Sequence, residues 1–363
     1  MTHRLASFAP LALAALLCAC GADVTLGELV PDGGDADTDA DADTDTDTDT
    51  DADTDTDTDT DTDSDTDPFT CEWETFDLGT LAAVWGTAAD DVYAVGGTTA
   101  VETLAYHFDG DTWAALDPGL DPPVALGGVW GASSDNVFVV GDFAYILNYD
   151  GSAWSTYSDV FPDTFEAVWG SSGTDVVAVG GFLSPLVARF DGSGWTQDTD
   201  VSGGTLYGVW GSSSANVWAV GSGTIIRSTG GAWTDGSGSL DTSSLTLYGV
   251  WGSAADDVFA VGSDSSLFIP TPVVLRWGGS SWSSLDVTSL LMTGELYGVA
   301  GNGVDPMYVV GEDLVSLAGI VLKYDAGSFE SVVGPFDAPL RGVWVAPTGE
   351  IFAVGDGGAV VCH

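Results

Sequence analysis

Chemistry in this chain has to come from 55 carboxylates, three histidines, four cysteines and six lysine or arginine residues. Their placement excludes several classes of function. His3 sits in an apolar leader, while His107 and His363 lie far apart, and no His/Cys cluster has zinc-ligand spacing. Neither a metal nor a cofactor is therefore expected. Beyond residue 67 the chain holds 35 acids against five bases, Arg189, Arg227, Arg276, Lys323 and Arg341, a net charge of −30. Nucleic acid is bound by neutralising phosphates with Lys and Arg, so it is excluded as a partner, and anionic lipid head groups fall by the same argument. No catalytic dyad stands out among the 35 acids, and the enzyme question turns on whether any of them converge.

The cysteines fall into two pairs. Cys18 and Cys20 end the leader, in which His3 and Arg4 precede the apolar run LASFAPLALAALL. That run is too short to span a bilayer as a mature helix and reads as a secretory signal. Leu17-Cys18-Ala19-Cys20 resembles the lipobox of bacterial lipoproteins, with Cys18 where a smaller residue is usual. The resemblance implies a signal peptide over residues 1–19, cleavage before Cys20, lipid on the Cys20 sulfur and, with Gly21 rather than Asp next, sorting to the outer membrane. Membrane association is thus expected through the anchor only, with the rest facing the periplasm or the cell surface.

Residues 20–67 form a second region. From Asp35 to Asp67 every odd position is Asp and the even ones are Thr, Ala or Ser, giving 17 carboxylates in 33 residues. Nothing larger than Ala is available to bury and like charges repel, so a disordered, stretched stalk is expected, on the order of 110 Å at full reach. Alternating Asp also opens calcium-binding loops, but those need a Gly for the tight turn and a bidentate Glu, and the tract has neither.

Residues 68–363 repeat one sentence seven times. The copies are LAAVWGTAADDVYAVG (81–96), LGGVWGASSDNVFVVG (126–141), FEAVWGSSGTDVVAVG (165–180), LYGVWGSSSANVWAVG (206–221), LYGVWGSAADDVFAVG (247–262), LYGVAGNGVDPMYVVG (296–311) and LRGVWVAPTGEIFAVG (340–355). A period near 40 calls for a propeller or an array. Each copy holds two short apolar runs broken by Ser, Asn, Asp or Gly. A third run and then YHFDGDTW (106–113), LNYDGSAW (147–154) or ARFDGSGW (187–195) follow. Such runs read as strands, and the DG pair between two of them reads as a type I′ hairpin turn. The expected fold is all-β: a seven-bladed propeller of four-stranded antiparallel blades, each strand pair apolar on both faces, as buried blades require.

The seventh copy ends at AVVCH (359–363), which aligns with a third strand, and FTCEWETF (69–76) aligns with the missing fourth through Trp73. An N-terminal strand therefore closes the ring. In repeat register Cys362 matches His107 and Cys71 matches Asp111, which flank one hairpin turn, so a Cys71–Cys362 disulfide is expected in an oxidising compartment. Closing so long a loop stabilises by roughly 4 to 5 kcal/mol in chain-entropy models.

The pattern VWG, a Ser/Asp-rich loop, VxAVG and YDGxxW resembles the propeller repeats of bacterial exported and lipoprotein families. It is distantly similar to Asp-box (BNR) and photosystem-assembly-factor propellers. In the Asp-box pattern one residue separates Asp and Gly, whereas Asp109 and Gly110, Asp150 and Gly151, and Asp191 and Gly192 adjoin. A sialidase site gathers several Arg around a carboxylate with a Tyr nucleophile. Here His107, Asn148, Arg189, Arg227, Arg276 and Lys323 share one third-strand register and are spread around the ring, with Asp91, Asp175 and Asp257 as expected partners.

The copies differ most between second and third strands, at FLSPL (182–186), SDSSLFIPTP (263–272) and EDLVSLAG (312–319). Phe182, Leu183, Leu267, Phe268, Ile269 and Leu314 are the candidate binding residues, on one face of the ring. The function expected is a lipid-anchored, monomeric, non-catalytic scaffold for a protein or carbohydrate ligand. The alternative is a glycoside-processing enzyme, sialidase-like or lyase-like, whose acids converge in the axial channel.

Overall fold

The computed structural model describes residues 71–157, 163–303 and 306–363. The Cys20 lipid site, the leader and the Asp/Thr tract lie outside the described residues. Seven four-stranded antiparallel sheets follow one another, each a meander in which sequence neighbours pair. The blades start with the strands Leu81–Ala88, Leu126–Ser133, Phe165–Ser172, Leu206–Ser213, Leu245–Ala254, Gly294–Gly301 and Leu340–Val345. These first strands contact their counterparts in both neighbouring blades and form the inner wall of the ring. The seventh sheet contains Leu340–Val345, Ile351–Gly355 and Gly358–Cys362, and its fourth strand is Trp73–Phe76 from the other end of the chain. Trp73 pairs with Cys362 and Phe76 with Ala359, so the expected closure is present. Cys71 and Cys362 are joined by a disulfide, with Cα atoms 5.5 Å apart.

The VWG motif has a packing role that operates between blades. Each Trp ring lies over the Gly of the next blade's VWG. A Cβ at Gly131 would stand 2.6 Å from Trp85, one at Gly170 2.5 Å from Trp130, and one at Gly211 2.6 Å from Trp169. Trp210 meets Gly252, Trp251 meets Gly301, and Trp344 meets Gly86 across the closing seam. Only glycine leaves room for the indole at such separations. The seventh interface supports the rule by its exception: blade 6 has Ala300 in place of Trp, and blade 7 has Val345 in place of Gly. The small residue and the large one have changed sides, and both are buried in one apolar cluster.

The DG hairpins differ from the expected type I′ turn. Only the Gly has positive φ, 98° at Gly110, 86° at Gly151 and 88° at Gly192. The Asp instead caps a four-residue loop: Asp109 Oδ1 accepts from the Asp111 and Thr112 amides, at 3.1 and 2.8 Å. Asp150 and Asp191 do the same in their turns. These bonds favour the ionised form and hold all three carboxyls below the usual range.

Four of the register-sharing polar residues reach the start of the second strand in their own blade. His107 meets Asp91 at 2.7 Å, Asn148 meets Asn136 at 2.9 Å, Arg227 Nη2 meets Asn216 at 2.6 Å and Arg276 meets Asp257 at 2.6 Å. Arg189 departs from this expectation. It turns to Asp198 at 2.7 Å and to Ser228 of the next blade, while Asp175 accepts from Ser171. The reason is the Trp233 ring, over which the Arg189 guanidinium lies at 5.1 Å and whose Nε1 donates to the same Asp198. Lys323 pairs with Glu330 at 3.0 Å. These bases brace blades and do not converge.

Candidate functional site at the axial mouth

A meander places its turns on two faces. The turns between first and second strands and between third and fourth strands share one face, which carries the Asp-Gly hairpins. The turns between second and third strands, and the connections to the next blade, share the other. Among the described residues, every large apolar side chain that is well exposed lies on this second face. Val101, Phe143, Phe182 with Leu183, Leu267 to Ile269, and Val315 with Leu317 occupy the turns of blades 1, 2, 3, 5 and 6. Leu290, Met292 and Val333 occupy connections between blades. The expected loops therefore share one face, with Phe268 wholly exposed. In blade 6, Leu314 is only half-exposed and its neighbours Val315 and Leu317 present the apolar surface instead.

The first strands begin on this same face, and one position there differs from blade to blade. Directly after the buried Leu or Phe that opens each repeat stand Ala82, Gly127, Glu166, Tyr207, Tyr248, Tyr297 and Arg341. Strands alternate their side chains between sides, so when the Leu points into the blade its successor points into the channel. All seven line one axial cavity of about 210 Å³. These residues lie inside the repeated stretch and not in the loops where the copies differ in length. The signal is nevertheless present in the sequence, as the position of LxGVWG that varies most widely in character, from Ala and Gly through Glu and Tyr to Arg.

Round the ring the position is graded. Tyr207, Tyr248 and Tyr297 form an arc, with ring centroids 5.3 and 5.0 Å apart in sequence, and the Arg341 guanidinium lies over Tyr297 at 4.4 Å. Arg341 is held in a fork by Asp356 in the blade 7 turn, at 2.9 and 3.2 Å. The Tyr297 hydroxyl donates within a carboxylate pair, Glu295 at 2.8 Å and Glu312 at 2.5 Å. Burial above all, then hydrogen bonding to those carboxylates, pushes the Tyr297 phenol up. Burial, then the charge of Glu295, pushes Tyr248 up to about 12. Both remain protonated donors at physiological pH.

Glu166 stands next to Tyr207 at one end of the arc, and the small residues Ala82 and Gly127 fill the gap between it and Arg341 at the other end. Burial, then the charges of Asp142 and Asp163, raise the Glu166 carboxyl above its ordinary value. A raised acid stabilises the fold while protonated and loses that contribution as pH climbs through its folded value, so at neutral pH an ionised Glu166 opposes folding. A second cavity of about 390 Å³ runs from Glu166 and Tyr207 to Phe182 and Leu183, linking the axial mouth to the blade 3 loop.

The glycoside-processing alternative requires acids converging with arginine in a deep channel. At the ring position the mouth offers one carboxylate, Glu166, which is three places round the ring from an Arg341 already paired to Asp356. Among the described residues no group of three or more His, Cys, Asp or Glu is arranged to hold a metal ion.

No family model matches the chain, and no curated protein matches its sequence. Solved structures match it in fold. YCF48 bound to a D1 peptide is 14% identical, with a TM-score of 0.60 over 81% of this chain and 94% of that one. Virginiamycin B lyase from Staphylococcus aureus is 10% identical, with a TM-score of 0.64 over 81% and 99%. The WD40 propeller domain of Doa1 is 11% identical, with a TM-score of 0.59 over 80% and 94%. Likeness at these identities concerns the fold: the chain is built like β-propellers that include both binding proteins and a lyase.

Proposed function

We propose that this chain is an exported lipoprotein that presents its propeller as a non-catalytic binding module, with the axial mouth and the surrounding apolar face as its recognition surface. The observation that carries the reading is the run of Tyr207, Tyr248, Tyr297 and Arg341 at the channel-facing inner-strand position, whose residues range from Gly to Arg. Blades need the rest of the repeat to pack; they have no need of three neighbouring tyrosines facing a channel. Aromatic rings with a polar tip and an arginine are the side chains that dominate binding surfaces elsewhere. A peptide-bound neighbour of the same fold is in keeping with a protein ligand, and stacking tyrosines also suit a carbohydrate.

The test is to screen envelope extract and a glycan array with three forms of the full chain: the natural sequence, Tyr248→Ala, and Asp150→Asn on the Asp-Gly face. A ligand held by the natural and Asp150→Asn forms and weakened at least about tenfold by Tyr248→Ala is the expected result. Equal retention by all three forms overturns the assignment of the site. The anchor is tested separately by Cys20→Ala, which should move the chain from the membrane to the soluble fraction; full membrane retention removes the lipoprotein part of the reading.

A further inference from the structure

The charge on the two faces is unequal, and this narrows the class of partner. His107, Arg189, Arg227, Arg276 and Lys323 all sit near the ends of third strands, toward the Asp-Gly face. Among the described residues, Arg341 is then the cation of the apolar face, and Asp356 already neutralises it. Glu166, Asp142, Asp163, Glu295 and Glu312 surround the mouth without matching bases. Glu166 makes no hydrogen bond or ion pair among the described residues. A face that is both apolar and negative repels a second copy of itself and an anionic membrane, and gives a neutral sugar no use for its field.

Resting on the axial mouth as the binding site, we infer that the partner is a protein segment rich in large apolar residues and in lysine or arginine. It lies across the apolar face and inserts one cationic side chain into the mouth beside Glu166 and its neighbour Tyr207. The apolar residues cover Phe182, Leu183 and Phe268, which otherwise stand in water. The inserted cation meets the Tyr207 ring and the unpaired Glu166 carboxylate side by side, a combination of aromatic face and charge that binds a desolvated cation. Ala82 and Gly127 leave the width for its stem.

The test uses the full chain and a fluorescein-labelled dodecapeptide alternating lysine with leucine and phenylalanine. Control peptides carry glutamate for the lysines or serine for the apolar residues. Anisotropy is read at physiological salt, where charges are screened beyond about 8 Å. The basic apolar peptide is expected to bind at least about tenfold more tightly than either control. Glu166→Gln and Tyr248→Ala should each weaken it about tenfold, Phe268→Ser should weaken it severalfold, and Asp150→Asn and Asp191→Asn should leave it unchanged. Glu166→Gln should not lower the melting temperature at neutral pH, because the charge it removes opposes folding, so weaker binding is not a folding defect. Equal losses from variants of both faces mean diffuse attraction to an acidic protein and overturn the inference. A neutral oligosaccharide that needs Tyr248 and ignores Glu166 overturns the partner class while leaving the mouth as the site. Indifference of every ligand to both Tyr248→Ala and Tyr297→Ala removes the site as well.

Discussion

Reducing the Cys71–Cys362 bond, or replacing both cysteines with serine, is expected to destabilise the propeller by about 5 kcal/mol. The bridge spans 291 residues, nearly the whole described ring, so opening it restores to the unfolded chain the largest loop this domain can close. The folded state also depends on it. The fourth strand of blade 7 is four residues long and joins the ring through its pairing with Ala359–Cys362 and through Trp73 against Phe336, centroids 4.9 Å apart. Without the covalent tie, the strand keeps this pairing and the packing of Trp73 and of Phe76 against Phe108 and Trp113 of blade 1, and the seam between blades 7 and 1 is expected to open first. Urea unfolding with and without reductant gives the difference directly. A change below about 1 kcal/mol would show that strand pairing alone closes the ring.

The second large effect concerns the exchange between Trp and Gly. Gly211→Val forces a branched side chain into the ring of Trp169, which already stands 2.6 Å from where its Cβ would be, and should cost about 3 kcal/mol or more. Ala300→Trp is expected to be similarly damaging because Val345 occupies the space that glycine leaves in the other six interfaces. Val345→Gly alone removes a buried side chain and should cost about 1 to 3 kcal/mol. The double variant Ala300→Trp with Val345→Gly rebuilds the common interface and should be more stable than the two single losses summed, with a favourable coupling of up to about 3 kcal/mol. Strict additivity would show that the two positions do not share the contact.

The fold was legible because the repeat states it seven times. Period, strand order, closure by residues 73–76 and the cysteine pairing all follow from aligning the copies with one another. The hairpin geometry did not follow from the Asp-Gly pair, since its Asp uses its side chain, not positive φ, and that depends on the two residues after the Gly. The partner of Arg189 was hidden for a different reason: Asp198 extends its own hairpin, but the Trp233 ring that holds the pair comes from the next blade, and propensity says nothing about contacts between blades. The axial tyrosines were present in every alignment of the copies. They were missed because Tyr inside an apolar strand reads as packing until the alternation of side chains about the buried Leu is followed into the channel.

The closing strand has a mechanical consequence. It runs from the Asp-Gly face toward the apolar face, so its first residue, Trp73, lies at the face opposite the axial mouth. A pull applied at its N-terminal end would peel an unprotected edge strand one residue at a time, the weakest direction for a β ladder. Here the load meets the bond to Cys362 before it reaches Trp73, and is passed into the central strands of blade 7. A force applied at Cys71 is therefore borne by a covalent bond and the blade interior, without unzipping the seam that keeps the ring closed.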